Sequence, residues 1–256
     1  MTVDITAIGL AVVGLMVGSF LNVCIYRIPQ RRSVVHPRSR CAACGRPLAW
    51  YENIPVISYL VLRGRCRTCG TRISLQYPLV EIVTAAAFVM QYETIGLTPL
   101  LAVRIAFACI LIVLFAIDLE HQLLPNVITL PALCAGLAAS VVVPPGIVDA
   151  LIGALVGGGI LFLIAEVYFR LRKEEGMGMG DVKMLAMIGA FLGWKLTLLT
   201  LILGSIGGSL AGIVLLITHR GNMKAAIPFG TFLAAGAFLA SLYGDPLVTW
   251  YLRHLG

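Results

Sequence analysis

The sequence predicts an all-α polytopic membrane protein of about eight transmembrane helices, with a small four-cysteine zinc-binding domain inserted on the cytoplasmic side after the first helix. Composition, a series of apolar runs of membrane length, and two CxxC pairs in one basic segment carry that expectation. Of 256 residues, 59% are hydrophobic and only 12% charged, with mean hydropathy +0.96. Soluble chains carry about 25% charged residues, so one globular core could not hide this much apolar surface, and the bilayer must be the solvent.

A hydrocarbon core of ~30 Å takes ~20 helical residues to cross. Apolar runs near that length stand at 5–26, 79–96, 99–117, 124–143, 147–169, 196–218 and 227–243. A shorter run, 182–193, makes an eighth span. About a dozen residues suffice only if the segment is re-entrant or begins in a water-filled cavity, and a half-helix there would reverse the orientation of the later helices. The first run lacks a basic leading region and a small-residue cleavage site, so it reads as a retained helix rather than a signal peptide. The domain organisation is therefore 1–26 first helix, 27–78 basic zinc-binding domain, and 79–256 helical membrane domain.

Between Arg27 and Pro78 ten arginines face a single acid, Glu52, which marks the segment as cytoplasmic. Alternation then puts the loops at 119–123, 170–181 and 219–226 inside, with Arg170, Arg172, Lys173, Arg220 and Lys224, while Lys195 and Arg253 lie outside. The N-terminus is therefore expected outside. The net charge of +7 belongs mostly to the one basic segment and points to anionic lipid headgroups as its partner. No aromatic interleaving or nucleic-acid motif accompanies it, so nucleic acid is not an expected partner.

Within the basic segment, Cys41 and Cys44 form CAAC, and Cys66 and Cys69 form CRTC after 21 intervening residues. Each knuckle presents two thiolates from one tight turn, and the intervening loop lets the pairs meet as a tetrahedral zinc site. Gly45 and Gly70, directly after the knuckles, suit such turns. A reducing cytoplasm disfavours disulfides, and a redox CxxC needs a thioredoxin-like context that is absent. A domain of about fifty residues with few large apolar side chains would draw its folding energy from the metal. Cys24, Cys109 and Cys134 lie in apolar runs and read as packing residues.

Charges within membrane segments are costly and usually paired, cavity-facing or functional. Two stand out. Asp118 ends the third span in FAIDLEHQLLP (115–125), and Asp181 opens the sixth in GMGMGDVKMLA (176–186). Between them the chain crosses outward once and returns once, which brings both to the cytoplasmic side at similar depth. Two carboxylates in a poorly solvated site do not both ionise easily, so one keeps a proton and the pair can serve as general base and general acid on a peptide. Gly176, Gly178 and Gly180 leave the backbone before Asp181 open to an extended substrate; their structural alternative is helix packing. Lys183, grouped with these glycines on the substrate approach, is a tuner of the pair, a partner for a substrate carboxylate, or a positive-inside anchor. Glu81 and Arg104 sit near span ends, where snorkelling is the default, although Glu81 is also a candidate cofactor contact. Glu120 and His121 belong to a solvated loop.

These residues together resemble the type IV prepilin peptidases. The resemblance runs through GSFLNVCIYRIP (18–29), the two CxxC pairs, NIPVISYL (53–60), LRGRC (62–66), QYPLVE (76–81), the stretch 118–125 and GMGDVKM (178–184). It implies a GxGD-type aspartic endopeptidase of the bacterial inner membrane, with Asp118 and Asp181 catalytic. Such an enzyme cleaves the short basic leader of prepilins or type II secretion pseudopilins after a glycine at the cytoplasmic face. The same resemblance implies a second activity, N-methylation of the new N-terminus with S-adenosylmethionine as cofactor, for which no binding residues are identified beyond Glu81 as a candidate. Because leader and basic domain are both cationic, the leader would look to the acidic pair and to Glu52, Glu120, Glu174 or Glu175. The alternative from another class is an ion-coupled transporter or channel using the membrane carboxylates. Its signature of paired broken helices in two repeated halves is not visible, since the Gly-rich break occurs once.

Overall fold

The computed structural model describes residues 4–174, 178–218 and 228–255. Gly176, Glu175, Arg220 and Lys224, each with a role expected from sequence, lie outside the described residues. Within them the chain is helical, and its β-type pairing is limited to two isolated bridges, Arg40 with Pro47 and Arg65 with Arg72. The helices are α1 (Ile5–Arg27), α2 (Ile57–Val61), α3 (Gln76–Ile95), α4 (Pro99–His121), α5 (Asn126–Ala139), α6 (Ile147–Arg172), α7 (Met179–Thr218) and α8 (Phe229–Leu255), with a 3₁₀ turn over Trp50–Asn53. Five of these, α1, α4, α6, α7 and most of α8, are long and apolar enough to cross a membrane. The protein is an integral membrane protein.

Seven of the eight expected spans correspond to a helix of their own or to the second part of α7. The eighth, 182–193, is not separate. It runs into 196–218 as one 40-residue element broken only at Gly193, whose φ of 76° and ψ of 170° interrupt the helix. The short segment need not face lipid: Val182, Met184, Leu185 and every residue from Met187 to Gly193 are buried, so protein surrounds it. A helix apolar on all sides is a core helix.

The chain divides into two compact units, Met1–Leu101 and Ala102–Gly256. In the first, α1 packs on α3 along a seam of small residues. A Cβ added at Gly14 would stand 2.6 Å from the Ala85 Cα, and one at Gly18 2.6 Å from the Glu81 Cα, so only glycine allows this approach. Asp4 caps α1 by accepting from the Thr6 amide at 2.8 Å, and its other oxygen accepts from the Tyr92 hydroxyl at 2.8 Å, tying the start of α1 to the end of α3. Further along, the Asn22 side chain donates to the Tyr77 carbonyl at 3.0 Å. Glu81 does not snorkel. It is buried, and its carboxylate accepts from the Val56 amide at 2.8 Å, fastening the loop before α2 to α3.

In the second unit, α6 and α7 meet backbone to backbone, and a Cβ at Gly189 would collide with the Gly153 carbonyl. Phe107 of α4 stacks on Phe191 of α7 with ring centroids 4.7 Å apart, at the centre of a core that includes Leu111, Leu114, Met184 and Leu233. Arg104, also expected to snorkel, is instead buried among these helices.

Candidate active site and metal centre

The ends of three helices converge in the second unit. Asp118 lies in the last turn of α4, Asp181 is the third residue of α7, and Thr231 is the third residue of α8. Asp118 is 5% exposed. Its Oδ2 accepts two hydrogen bonds from Thr231, one from the backbone amide at 2.7 Å and one from the hydroxyl at 3.1 Å. The first amides of a helix have no partner within the helix, so the start of α8 offers a ready donor to a carboxylate. Asp181 follows Gly180 at the start of α7, and Leu124 lies against both Gly180 and Gly230, the residue beside Asp118 Oδ2.

Leu124 fills the space between these helix starts. A Cβ at Gly180 would lie 3.0 Å from the Leu124 Cβ, and one at Gly230 would lie 2.9 Å from its Cδ1 and 2.9 Å from Asp118 Oδ2. Glycine at 230 is what lets Asp118 reach the α8 amide. At Gly180 the room gained is taken by Leu124, whereas a Cβ at Gly178 would meet nothing nearer than Asp181 Oδ2 at 3.9 Å. Of the three glycines singled out in the sequence, Gly178 thus borders the Asp181 carboxylate and Gly180 serves packing. Lys183 donates to the Asn126 side chain at 3.0 Å, joining α7 to the start of α5. Glu120 and His121 continue α4 rather than forming a loop, and both are exposed.

Thr231 and Leu124 were missed by sequence reasoning. The signal for Thr231 was the PFGT stretch at 228–231, a proline and glycine opening an apolar helix. Nothing in it names a partner 113 residues away.

The second candidate site lies in the first unit. The sulfurs of Cys41, Cys44, Cys66 and Cys69 all fall within 4.8 Å of one another. Cys41 Sγ and Cys69 Sγ are 3.7 Å apart; a tetrahedron with Zn–S bonds of ~2.3 Å has edges of ~3.8 Å. The two knuckles repeat one construction. The amides of Gly45 and Gly70, at φ 69° and 70°, donate to the Cys41 and Cys66 carbonyls at 2.9 Å, and the amides of Cys41 and Cys66 donate in turn to the Arg46 and Thr71 carbonyls. Hydrogen bonds from Thr71 and the neighbouring thiols pull the Cys69 thiol down to about 6. At Cys44 the Arg46 amide favours the thiolate, but desolvation and the thiols of Cys41 and Cys69 outweigh it and push the group up to about 11. Four thiols this close cannot ionise together without a cation among them. With all four positions supplied by protein, the set fits a closed structural metal site.

Glu52 is committed to the same unit. Its carboxylate accepts from Arg46 at 2.6 Å and from the Ala49 amide at 2.8 Å, and it is buried, so it is not available to a cationic leader. Among the described residues, no set fits S-adenosylmethionine comparably. Glu81, the one residue singled out, is engaged with Val56.

Comparison with known proteins bears on both units. Residues 12–95 match the Bacterial Peptidase A24 N-terminal domain, and residues 105–217 match the Type IV leader peptidase family. Curated relatives named prepilin leader peptidase/N-methyltransferase include one from Aeromonas salmonicida, 38% identical over 93% of this chain and 91% of the relative. Another, from Pseudomonas putida, is 38% identical over 96% and 93%. A third, from Pseudomonas aeruginosa, is 35% identical over 95% and 92%. No solved structure matches the chain.

Proposed function

The chain belongs to the type IV leader peptidase family, and from that premise we propose that it is a membrane aspartic endopeptidase that removes the leader of prepilins or pseudopilins and N-methylates the new N-terminus. The observation that carries the peptidase reading is the convergence of the helix ends bearing Asp118 and Asp181 around Leu124, with Thr231 holding Asp118. The transport alternative has no such support, since the matched relatives carry an enzyme's name.

One carboxylate of the pair takes a proton from water as the oxygen attacks the scissile carbonyl, while the other, protonated, donates to the carbonyl oxygen. The tetrahedral intermediate then collapses, the C–N bond breaks and the departing amine takes a proton from the pair. Thr231 fixes one oxygen of Asp118 throughout, so the acid–base work falls to its other oxygen and to Asp181. The leader junction lies extended beside Gly178.

Zinc on Cys41, Cys44, Cys66 and Cys69 would hold the fold of the basic segment and supply no chemistry to cleavage. Methyl transfer requires a methyl donor, S-adenosylmethionine in this reading, and no residue of the chain is assigned to it. The domain division is 1–26, 27–78 and 79–256, in a bacterial inner membrane with the N-terminus outside. Residues 27–78 then lie against anionic lipid headgroups at the cytoplasmic face.

Co-expression with a tagged prepilin, read by intact mass, tests the function. Loss of the leader together with one added methyl group is expected. Leader loss without the methyl group would remove the second activity, and an intact prepilin beside folded enzyme would remove the first.

A further inference from the structure

The first unit holds a feature that neither the cysteine cluster nor the buried carboxylates explain. A groove of about 630 Å³ is lined by Tyr59, Arg63, Arg65, Arg72, Ser74 and Leu75 among others. Three guanidinium-bearing residues line it, and no acidic residue does. Arg65 and Arg72 stand opposite each other in an antiparallel bridge, where like charges repel. None of the three joins an ion pair among the described residues, whereas Arg46 in the same unit is matched to Glu52.

The backbone that carries them is packed rather than loose. Gly64, between Arg63 and Arg65, is buried, and a Cβ there would meet the Tyr59 hydroxyl at 2.8 Å. The Ile73 amide closes the loop by donating to the Gly64 carbonyl at 2.8 Å. The backbone beneath the cationic groove is therefore fixed by the second knuckle, and it presents the exposed side chains of Arg63, Arg65 and Arg72.

One lining residue is apolar and exposed, and so is much of α2, which supplies Tyr59 to the groove. Leu75 is 72% exposed, and α2 presents Ile57, Leu60 and Val61 at 60%, 67% and 74%. From Leu75 the chain enters α3 at Gln76 without a linker. Arginines beside exposed aliphatic side chains at the start of α3, which packs on the membrane-length α1, match the boundary where headgroup phosphates meet acyl chains.

We propose that this groove seats the phosphate of an anionic membrane lipid, with Arg63, Arg65 and Arg72 around the headgroup and α2 and Leu75 in the outer acyl layer. Guanidinium groups pair with phosphate oxygens in bidentate fashion, and a phosphate between Arg65 and Arg72 removes their mutual repulsion. This rests on residues 27–78 lying at the membrane surface and assigns the contact to three of the ten arginines between Arg27 and Pro78.

The test is native mass spectrometry of the full-length protein in detergent with phosphatidylglycerol or phosphatidylcholine added. Wild type is compared with Arg63→Gln/Arg65→Gln/Arg72→Gln and with Arg31→Gln/Arg32→Gln/Arg38→Gln, which removes the same charge elsewhere in the segment. Phosphatidylglycerol occupancy should fall about tenfold in the groove variant and less than about twofold in the control. Zinc content reports folding; if the triple variant loses metal because Arg65 adjoins Cys66, the Arg63→Gln/Arg72→Gln pair replaces it. An equal loss in the control would overturn the site, as would displacement of the lipid by inorganic phosphate or by S-adenosylmethionine. A wild-type protein without preference for phosphatidylglycerol would instead overturn the surface placement itself, whereas a preference that survives in the groove variant defeats only the groove.

Discussion

Thr231 gives both its backbone amide and its hydroxyl to a single oxygen of Asp118, at 2.7 and 3.1 Å. One side of this carboxylate is thereby fixed to the start of α8. The other carboxylate, Asp181, sits at the start of α7, and Leu124 wedges between the two helix starts. The pair is held by helix ends rather than by loops.

Thr231→Val keeps the amide bond and the side-chain shape but removes the hydroxyl. A hydrogen bond to a charged group contributes about 1.5–3 kcal/mol, and the surviving amide bond should absorb part of that loss. Cleavage kinetics on a purified prepilin should show kcat down by about tenfold or less with KM unchanged, and Thr231→Ser should restore it. A rise in KM alone would place Thr231 in substrate binding instead.

Metal removal separates the two units. Cys66→Ser takes away the most buried of the four ligands, at 7% exposure, and three remaining ligands bind zinc far more weakly. Zinc content should drop, and limited proteolysis should cut within residues 41–69 while α6 and α7 remain protected. Equal proteolysis along the whole chain would contradict a structural role confined to the first unit.

Acid should weaken that unit in a defined window. The Ala49 amide and then Arg46 hold the Glu52 carboxyl below its ordinary 4.5. A group lowered on folding stabilises the fold above its unfolded value, and the effect fades as pH falls through the folded one. Glu52→Gln should therefore be less thermostable than wild type at pH 7, with the gap closing below about pH 4.5 as the wild-type carboxyl protonates. A gap unchanged at acid pH would show that Glu52 acts by shape rather than charge.

Much of this was legible in the sequence because membrane helices and metal knuckles are local. Apolar length alone located α1, α4, α6 and α8, and cysteine spacing located the cluster before any fold was known. The two aspartates stood out because carboxylates are rare inside apolar runs. What stayed hidden depends on contacts between distant segments. Gly180 looked like room for substrate, and only the position of Leu124 shows that the room is filled. Glu81 looked like an interfacial charge, yet inside the fold its carboxylate accepts from the Val56 amide. The run 182–193 looked too short to span, and burial on all sides removes that requirement. Thr231 carried no sign in composition or periodicity, since a threonine in the first turn of a helix is ordinary.

The central claim is that Asp118 and Asp181 act as one unit, and the most direct measurement is prepilin cleavage, by intact mass, with Asp118→Asn, Asp181→Asn and the double variant in a background of verified folding and zinc content. Each single variant should lose roughly 10³-fold or more in rate, and the double should be no worse than either, because groups acting together are not additive. Substantial cleavage by either single variant, or losses that multiply in the double, would contradict a shared acid–base pair.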